Sequence, residues 1–200
     1  HELKTPIAII SANAEAMELI NGKNEWTGNI ISQVKRLSLL INDLVLLSKI
    51  GETSAKDLTL VDTDLSEAVK SSAGSFRQMI EDAGKTLSVE AGSGIRAKVE
   101  PRLFSEIVSI LLDNAVKYCD EEGTITARLE KNKKGVLLSV SNSYKEGESE
   151  DYERFFERFY HGDTSHNSKK SGYGIGLSMA RDMARLMKGS LDVSYKDGVI

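Results

Sequence analysis

Near the C-terminal end, Ser171-Gly172-Tyr173-Gly174-Ile175-Gly176-Leu177-Ser178 brings three glycines to alternate positions, a spacing that lets the backbone pass close to a ligand. Leu177, Met179, Ala180, Met183, Ala184 and Met187 continue at helical spacing, so the loop opens a helix whose first N–H groups suit an anion. The chemistry this suggests is a phosphate cradle, although a glycine-rich turn ahead of an ordinary amphipathic helix has the same pattern. The glycine spacing does not fit the dinucleotide fingerprint, and no Lys-Ser or Lys-Thr pair follows as in a P-loop. A second stretch is Leu111-Leu112-Asp113-Asn114-Ala115-Val116-Lys117-Tyr118. On a helix, Ile107, Leu111, Asn114 and Tyr118 share one stripe with Lys117 beside it, which places an amide, an ammonium and an aromatic ring at the edge of an apolar face. An amide oxygen suits Mg²⁺, a lysine suits phosphate and an aromatic edge suits a base. Taken alone, the same residues also describe a surface Asn and Lys with a core Tyr. A third stretch, His1-Glu2-Leu3-Lys4-Thr5-Pro6, places His1 and Thr5 on one helix face. Pro6 there removes the hydrogen bond to the Glu2 carbonyl and is expected to kink the helix, while a solvated histidine beside a first-turn proline is the plainer reading.

Those residues need a scaffold. Ile7, Ile10, Ala14 and Met17 keep a helical stripe, residues 21–24 break it, and Ile30, Val34, Leu37, Ile41 and Leu44 resume at alternating steps of four and three. This predicts a helical hairpin with coiled-coil seams, too apolar to bury its faces alone and therefore completed as a four-helix bundle by a second chain. Residues 51–63 form a connector into a short strand at 58–61. Asp64 with Glu67 caps a helix that ends at Gly84, strands are expected at 86–90 and 95–99, and Pro101 opens the helix carrying Asn114. A hairpin of strands at 124–130 and 136–142 follows. Three of the five phenylalanines fall in residues 152–160, and 161–171 is a polar segment placed where a lid would sit. A further strand is expected at 190–195, with Leu191, Val193 and Tyr195 on one face, and another is entered at 198–200.

The composition is that of a soluble globular chain, with 40% hydrophobic and 28% charged residues among 200. The balance of 26 basic against 30 acidic residues gives −4, which argues against nucleic-acid binding by bulk charge. The single Cys119 excludes an internal disulfide. No apolar run reaches transmembrane length, no signal peptide is visible, and the chain starts at His1 without an initiator Met. It reads as a fragment, with any membrane attachment in a segment outside it.

Several stretches together resemble one family. The chain is similar to the cytoplasmic kinase core of sensor histidine kinases of two-component systems over nearly all of its 200 residues. His1 to Pro6 resembles the H box, Leu111 to Tyr118 the N box, Phe156-Glu157-Arg158-Phe159-Tyr160 the F box, and Gly172-Tyr173-Gly174-Ile175-Gly176-Leu177 the second glycine box. The resemblance implies an α+β organisation. A dimerising, phosphoacceptor helical hairpin at 1–57 precedes a two-layer α/β sandwich of the GHKL (Bergerat) ATP-binding type at 58–200. It implies His1 as the phosphorylated nucleophile, Glu2 assisting its deprotonation, and Thr5 positioning a water in dephosphorylation of the partner. It further implies Asn114 as a Mg²⁺ ligand, Lys117 on phosphate, Tyr118 near the nucleotide, and residues 172–177 along the phosphates of ATP. The partner implied is the receiver domain of a response regulator, with localisation on the cytoplasmic side of a membrane-bound bacterial sensor.

Four departures from the family pattern stand out. Ile110 replaces the usual first Asn of the N box. Where the family commonly has Asp-x-Gly-x-Gly, this chain reads Asn142-Ser143-Tyr144-Lys145-Glu146-Gly147, so the resemblance implies that a neutral amide at Asn142, in place of a charged acceptor, would receive the adenine amine. The hairpin lacks the turns that normally precede the histidine, and the sheet lacks its final strand. Two functions from different classes are compatible with this: an ATP-dependent protein-histidine kinase, and a catalytically weak scaffold that engages a response regulator through its helical bundle.

Overall fold

The computed structural model describes residues 3–133, 135–160 and 173–200 and divides the chain into two compact units, residues 1–52 and 53–200. The first is a helical hairpin of α1 (Lys4–Asn21) and α2 (Glu25–Glu52). Its turn is closed by reciprocal bonds in which Thr27 N–H donates to Asn24 Oδ1 (3.0 Å) and Asn24 N–H to Thr27 Oγ1 (3.4 Å). The buried Thr27 hydroxyl also donates to Glu18 Oε1 at 2.9 Å, tying the start of α2 to the end of α1.

The expected apolar stripes divide into two faces. Ile7, Val34 and Ile41 pack on one another inside the hairpin, and Ala14 of α1 is also buried. Ile10, Met17, Ile30, Leu37 and Leu44 stand exposed. In α2 the steps of four and three alternate between these faces, so every second member points inward. Pro6 lies in the first turn of α1, and the Glu2 carbonyl invoked for a kink lies outside the described residues.

In the second unit, β1 (Val61–Asp64) leads into α3 (Leu65–Asp82), β2 (Thr86–Ala91), β3 (Arg96–Val99), α4 (Pro101–Tyr118), β4 (Thr124–Asn132), β5 (Gly135–Asn142) and α5 (Gly176–Leu186). β1 and β3 form an antiparallel pair; β2 runs parallel to β4, which runs antiparallel to β5. Leu65, Val69, Ala73 and Ile80 of α3 and Phe104, Val108, Leu112 and Ala115 of α4 pack on Ile125, Ala127 and Leu129 of β4, which makes a two-layer α/β sandwich. Sequence dictates the helix starts: Asp64 Oδ1 accepts from Glu67 N–H, and Glu100 Oε2 accepts from Leu103 N–H ahead of Pro101 at N1.

Two strand expectations change. The first strand lies at Val61–Asp64 rather than 58–61: Val61 is the one apolar member, opposite Val99, and the rest of the strand is tied by Arg96, which bridges Asp62 (2.9 Å) and Asp64 (3.9 Å). Residues 191–195 alternate between half-buried and exposed as expected but form no ladder among the described residues. Instead Lys196 and Val199 pair across the turn Asp197-Gly198, and Ile200 exchanges two backbone bonds with Asn142 (2.8 and 3.1 Å).

Candidate active site

The site is built where α4, α5 and the end of β5 meet. Asn114 Nδ2 donates to the Ile110 carbonyl one turn earlier at 2.8 Å, which fixes the carboxamide and leaves Oδ1 accepting no bond among the described residues. α5 starts directly against it. A Cβ added to Gly176 would lie 3.3 Å from Ile110 Cγ2 and 3.7 Å from Asn114 Nδ2. Ile110, where the family pattern has a polar residue, therefore serves as the packing contact between the two helices.

Gly174 does different work. Its φ is +64°, and an added Cβ would sit 2.4 Å from the Tyr160 carbonyl oxygen, while Phe159 N–H donates to the Gly174 carbonyl at 2.9 Å. Arg181 of α5 stacks on the Phe156 ring at 4.4 Å and reaches the Phe156 carbonyl, and Arg158 meets Asp182 at 3.4 Å. The aromatic stretch 152–160 is thus fastened to the entry and first turns of α5. Ile175 is buried, its carbonyl accepts from the Ser178 hydroxyl at 2.7 Å, and Tyr173 and Leu177 are half-buried.

Lys117 is ion-paired with Asp113, one turn back on α4. Tyr118 is half-buried, and burial first, then the negative charges of Asp113 and Glu150, hold its phenol above the ordinary value of 10.0. Asn142 is 6% exposed; its Nδ2 donates to the Ser143 carbonyl at 3.2 Å, and its Oδ1 accepts no bond among the described residues. Thr5 is exposed on α1. His1, Glu2, Gly172 and the expected lid at 161–171 lie outside the described residues; just before the lid, Phe159 N–H donates to the Gly174 carbonyl.

Three contributors carry no sequence motif. Asp120 joins α4 to the segment after β5: its N–H donates to the Ser143 carbonyl (2.9 Å), and its Oδ2 accepts from Lys145 N–H (3.0 Å). Lys85 Nζ donates to the Val116 and Cys119 carbonyls (2.6 and 2.9 Å), capping the C-terminal end of α4 where a cation is favoured. Glu150 accepts from the Tyr144 hydroxyl at 3.3 Å. Position after a helix could have suggested Asp120; Lys85 and Glu150 are ordinary surface residues until the chain is folded.

The arrangement combines a helix start, a fixed amide, a lysine and an aromatic ring on one side of a sandwich, with the amide of the buried residue Asn142 at the strand end. Residues 98–199 match the model of the histidine kinase-, DNA gyrase B-, and HSP90-like ATPase family. The chain belongs to that family. Residues 1–53 match the His Kinase A phospho-acceptor domain, so the chain carries both parts of the core of a two-component sensor histidine kinase. Among its relatives, sensor protein DltS of Streptococcus agalactiae is 29% identical over 96% of this chain and 48% of its own length. Sensor histidine kinase RppB of Synechocystis is 30% identical over 96% of this chain and 44% of its own. The chain thus spans about half the length of these relatives. Among solved structures, full-length ShkA in complex with AMPPNP superposes with a TM-score of 0.76 at 21% identity, covering 99% of this chain and 42% of that one. The Acinetobacter baumannii histidine kinase AdeS gives 0.67 at 20%, covering 100% and 93%. At these identities the likeness shows the fold, which is that of a kinase core.

Proposed function

We propose that the chain is the ATP-dependent autokinase of a two-component system: a histidine nitrogen of His1 attacks the γ-phosphorus of ATP, the bond to the ADP oxygen breaks, and the phosphoryl group then passes to an aspartate of a response-regulator receiver domain. The observation that carries this reading is the seating of the α5 start at Gly176 against the fixed carboxamide of Asn114. A helix terminus suited to phosphate thus lies beside a neutral oxygen donor, while residues 1–53 match the phospho-acceptor domain.

Mg²⁺ fits this donor set. Among the described residues no cluster of His, Cys, Asp and Glu offers a complete metal cage, and Mg²⁺ is commonly held by few protein oxygens together with substrate phosphates and water. Asn114 Oδ1 would hold it, and the metal would neutralise charge on the transferring phosphoryl group. Lys117 would exchange Asp113 for phosphate, Tyr118 would pack near the base, and residues 172–177 would run along the phosphates. Asn142 Oδ1, which accepts no bond among the described residues, would accept from the adenine amine. Glu2 would take the proton from the attacking imidazole, and Thr5 would orient water when the phosphorylated regulator is hydrolysed.

A second copy would cover the exposed face of the hairpin, where Ile30, Leu37 and Leu44 recur every seven residues. Among the described residues no helix is long and apolar enough to cross a membrane. We place the chain on the cytoplasmic side of a sensor whose membrane segment lies elsewhere, because ATP and the regulator are found there. Incubation with Mg-ATP should produce an acid-labile, alkali-stable label, the signature of a phosphoramidate. His1→Gln should abolish it, and His166→Gln should leave it. Label surviving in His1→Gln refutes the assignment; absence of label despite measured ATP binding favours the scaffold reading.

A further inference from the structure

The strand end beyond Asn142 carries more than the family pattern accounts for. Val136, Leu138 and Val140 of β5 turn toward the helical core, and with side chains alternating along a strand, Asn142 and Tyr144 continue that face. Pairing persists to this point, since Tyr144 N–H donates to the Gly198 carbonyl at 2.7 Å. The two side chains are thus next neighbours on one face, about 7 Å apart by strand geometry. Asn142 is 6% exposed, its Oδ1 accepts no bond among the described residues, and one N–H of its Nδ2 is held by the Ser143 carbonyl at 3.2 Å, so the amide keeps an oxygen available as an acceptor.

Beside it Tyr144 is 8% exposed, as enclosed as a core residue. Its hydroxyl is held by Glu150 at 3.3 Å, and the charge of Glu150 also acts on Tyr118. Its ring edge closes on Gly147, where an added Cβ would lie 2.7 Å from Tyr144 Cδ1, 2.5 Å from Tyr152 Oη and 2.7 Å from Tyr195 Cε2. Tyr152 in turn stacks on Tyr195 (6.0 Å between centroids) and donates to the Gly147 carbonyl. The ring of Tyr144 is therefore held by the strand on one side and by an aromatic cage on the other, and cannot swing aside without opening that cage.

We propose that Tyr144 sets the size of the base site: its ring walls off the space next to the acceptor of Asn142, so that the chain takes adenine with an unsubstituted 6-amino group and refuses N6-substituted adenine nucleotides. This rests on the reading of the site as an ATP site with Asn142 at the amine. A Tyr in place of a smaller residue at a pocket wall is a steric filter, and discrimination of tenfold or more is the usual scale for several surplus atoms.

The test is titration calorimetry on the whole chain with ATP and with N6-benzyl-ATP. In the wild type the benzyl nucleotide should bind at least about tenfold more weakly than ATP, and in Tyr144→Ala the two should bind within about threefold of each other. Tyr144→Phe keeps the ring and should keep the discrimination. Should Tyr144→Ala lose its circular-dichroism signature, Tyr144→Leu, which retains apolar volume but is shorter, should narrow the gap in the same direction. Equal binding of both nucleotides by the wild type, or an unchanged gap in the folded Ala or Leu variant, overturns the size assignment alone. Failure of the folded wild type to bind ATP at all overturns the ATP reading and this inference with it.

Discussion

Two glycines of the second unit share a left-handed backbone but not a neighbourhood, and replacing each by alanine separates conformational cost from steric cost. Gly84, at the end of α3, has φ +69° and no heavy atom within 4 Å of an added Cβ. Gly84→Ala should therefore cost only the left-handed penalty, about 1–2 kcal/mol. Gly174 has φ +64°, and its added Cβ would lie 2.4 Å from Tyr160 O and 2.8 Å from both Phe159 C and Tyr160 N. All three are backbone atoms, which no rotamer change can move aside. Forcing a methyl group into packed surroundings costs about 1–3 kcal/mol. Relief by shifting the segment would stretch the bond from Phe159 N–H to Gly174 O, worth about 1 kcal/mol net. Gly174→Ala should thus exceed Gly84→Ala by about 2–4 kcal/mol.

Urea unfolding followed by far-ultraviolet circular dichroism measures both variants. The single tryptophan, Trp26, lies in the hairpin, so its fluorescence serves as a control that should not respond to either change. Gly174→Ala should also weaken ATP binding, because the same contact fastens the F-box segment to the entry of α5; Gly84→Ala should not. If the two variants lose stability equally, Gly174 is present only for its backbone angle, and the clasp between Tyr160 and Gly174 has no energetic content.

Within the hairpin, Leu37→Glu should leave helicity intact and separate dimers in light scattering, whereas Val34→Glu should melt the hairpin itself, since Val34 packs on Ile7 and Ile41. Dissociation without loss of helicity in Val34→Glu would reverse the two faces. Lys85→Met should destabilise the second unit by about 1.5–3 kcal/mol through loss of a charged donor to two helix-terminal carbonyls; an unchanged urea midpoint would show that water replaces it without cost. Tyr118 and Tyr152 hold their protons more tightly in the fold than the ordinary value of 10.0, so their contribution to stability is fully present below that pH and is lost as pH rises through the elevated values. Tyr118→Phe should flatten the fall in stability above about pH 10, and an identical pH profile would refute burial as its cause.

What the sequence made legible was periodic or terminal. Asp64 with Glu67, Pro101 at the start of α4, and the alternation along β5 announce themselves because each depends on residues a few positions apart, whereas the Glu100 cap ahead of Pro101 emerged only in the fold. The shifted first strand is the counterexample: Val61 to Asp64 has no apolar alternation, and its register comes from Arg96, more than thirty residues away. The heptad stripes revealed that two apolar faces exist but not which faces inward, because steps of four and three serve a seam within a hairpin and a seam between chains equally well.

The glycines carry the same lesson to the site. Alternate spacing at 172, 174 and 176 suggested one shared reason, close approach to phosphate. In the fold Gly174 admits the Tyr160 carbonyl and Gly176 admits Ile110 and Asn114. Both are required before any ligand arrives: one holds the aromatic segment against α5, the other brings the α5 terminus to the asparagine. A substitution at either position should therefore lower stability and nucleotide affinity together. Asn114→Ala, on the exposed side of the same contact, should lower affinity and leave stability within about 1 kcal/mol, because it forfeits only a local side-chain bond to the Ile110 carbonyl. Coupled losses at Asn114 would mean that the amide is part of the helix packing rather than a ligand for Mg²⁺.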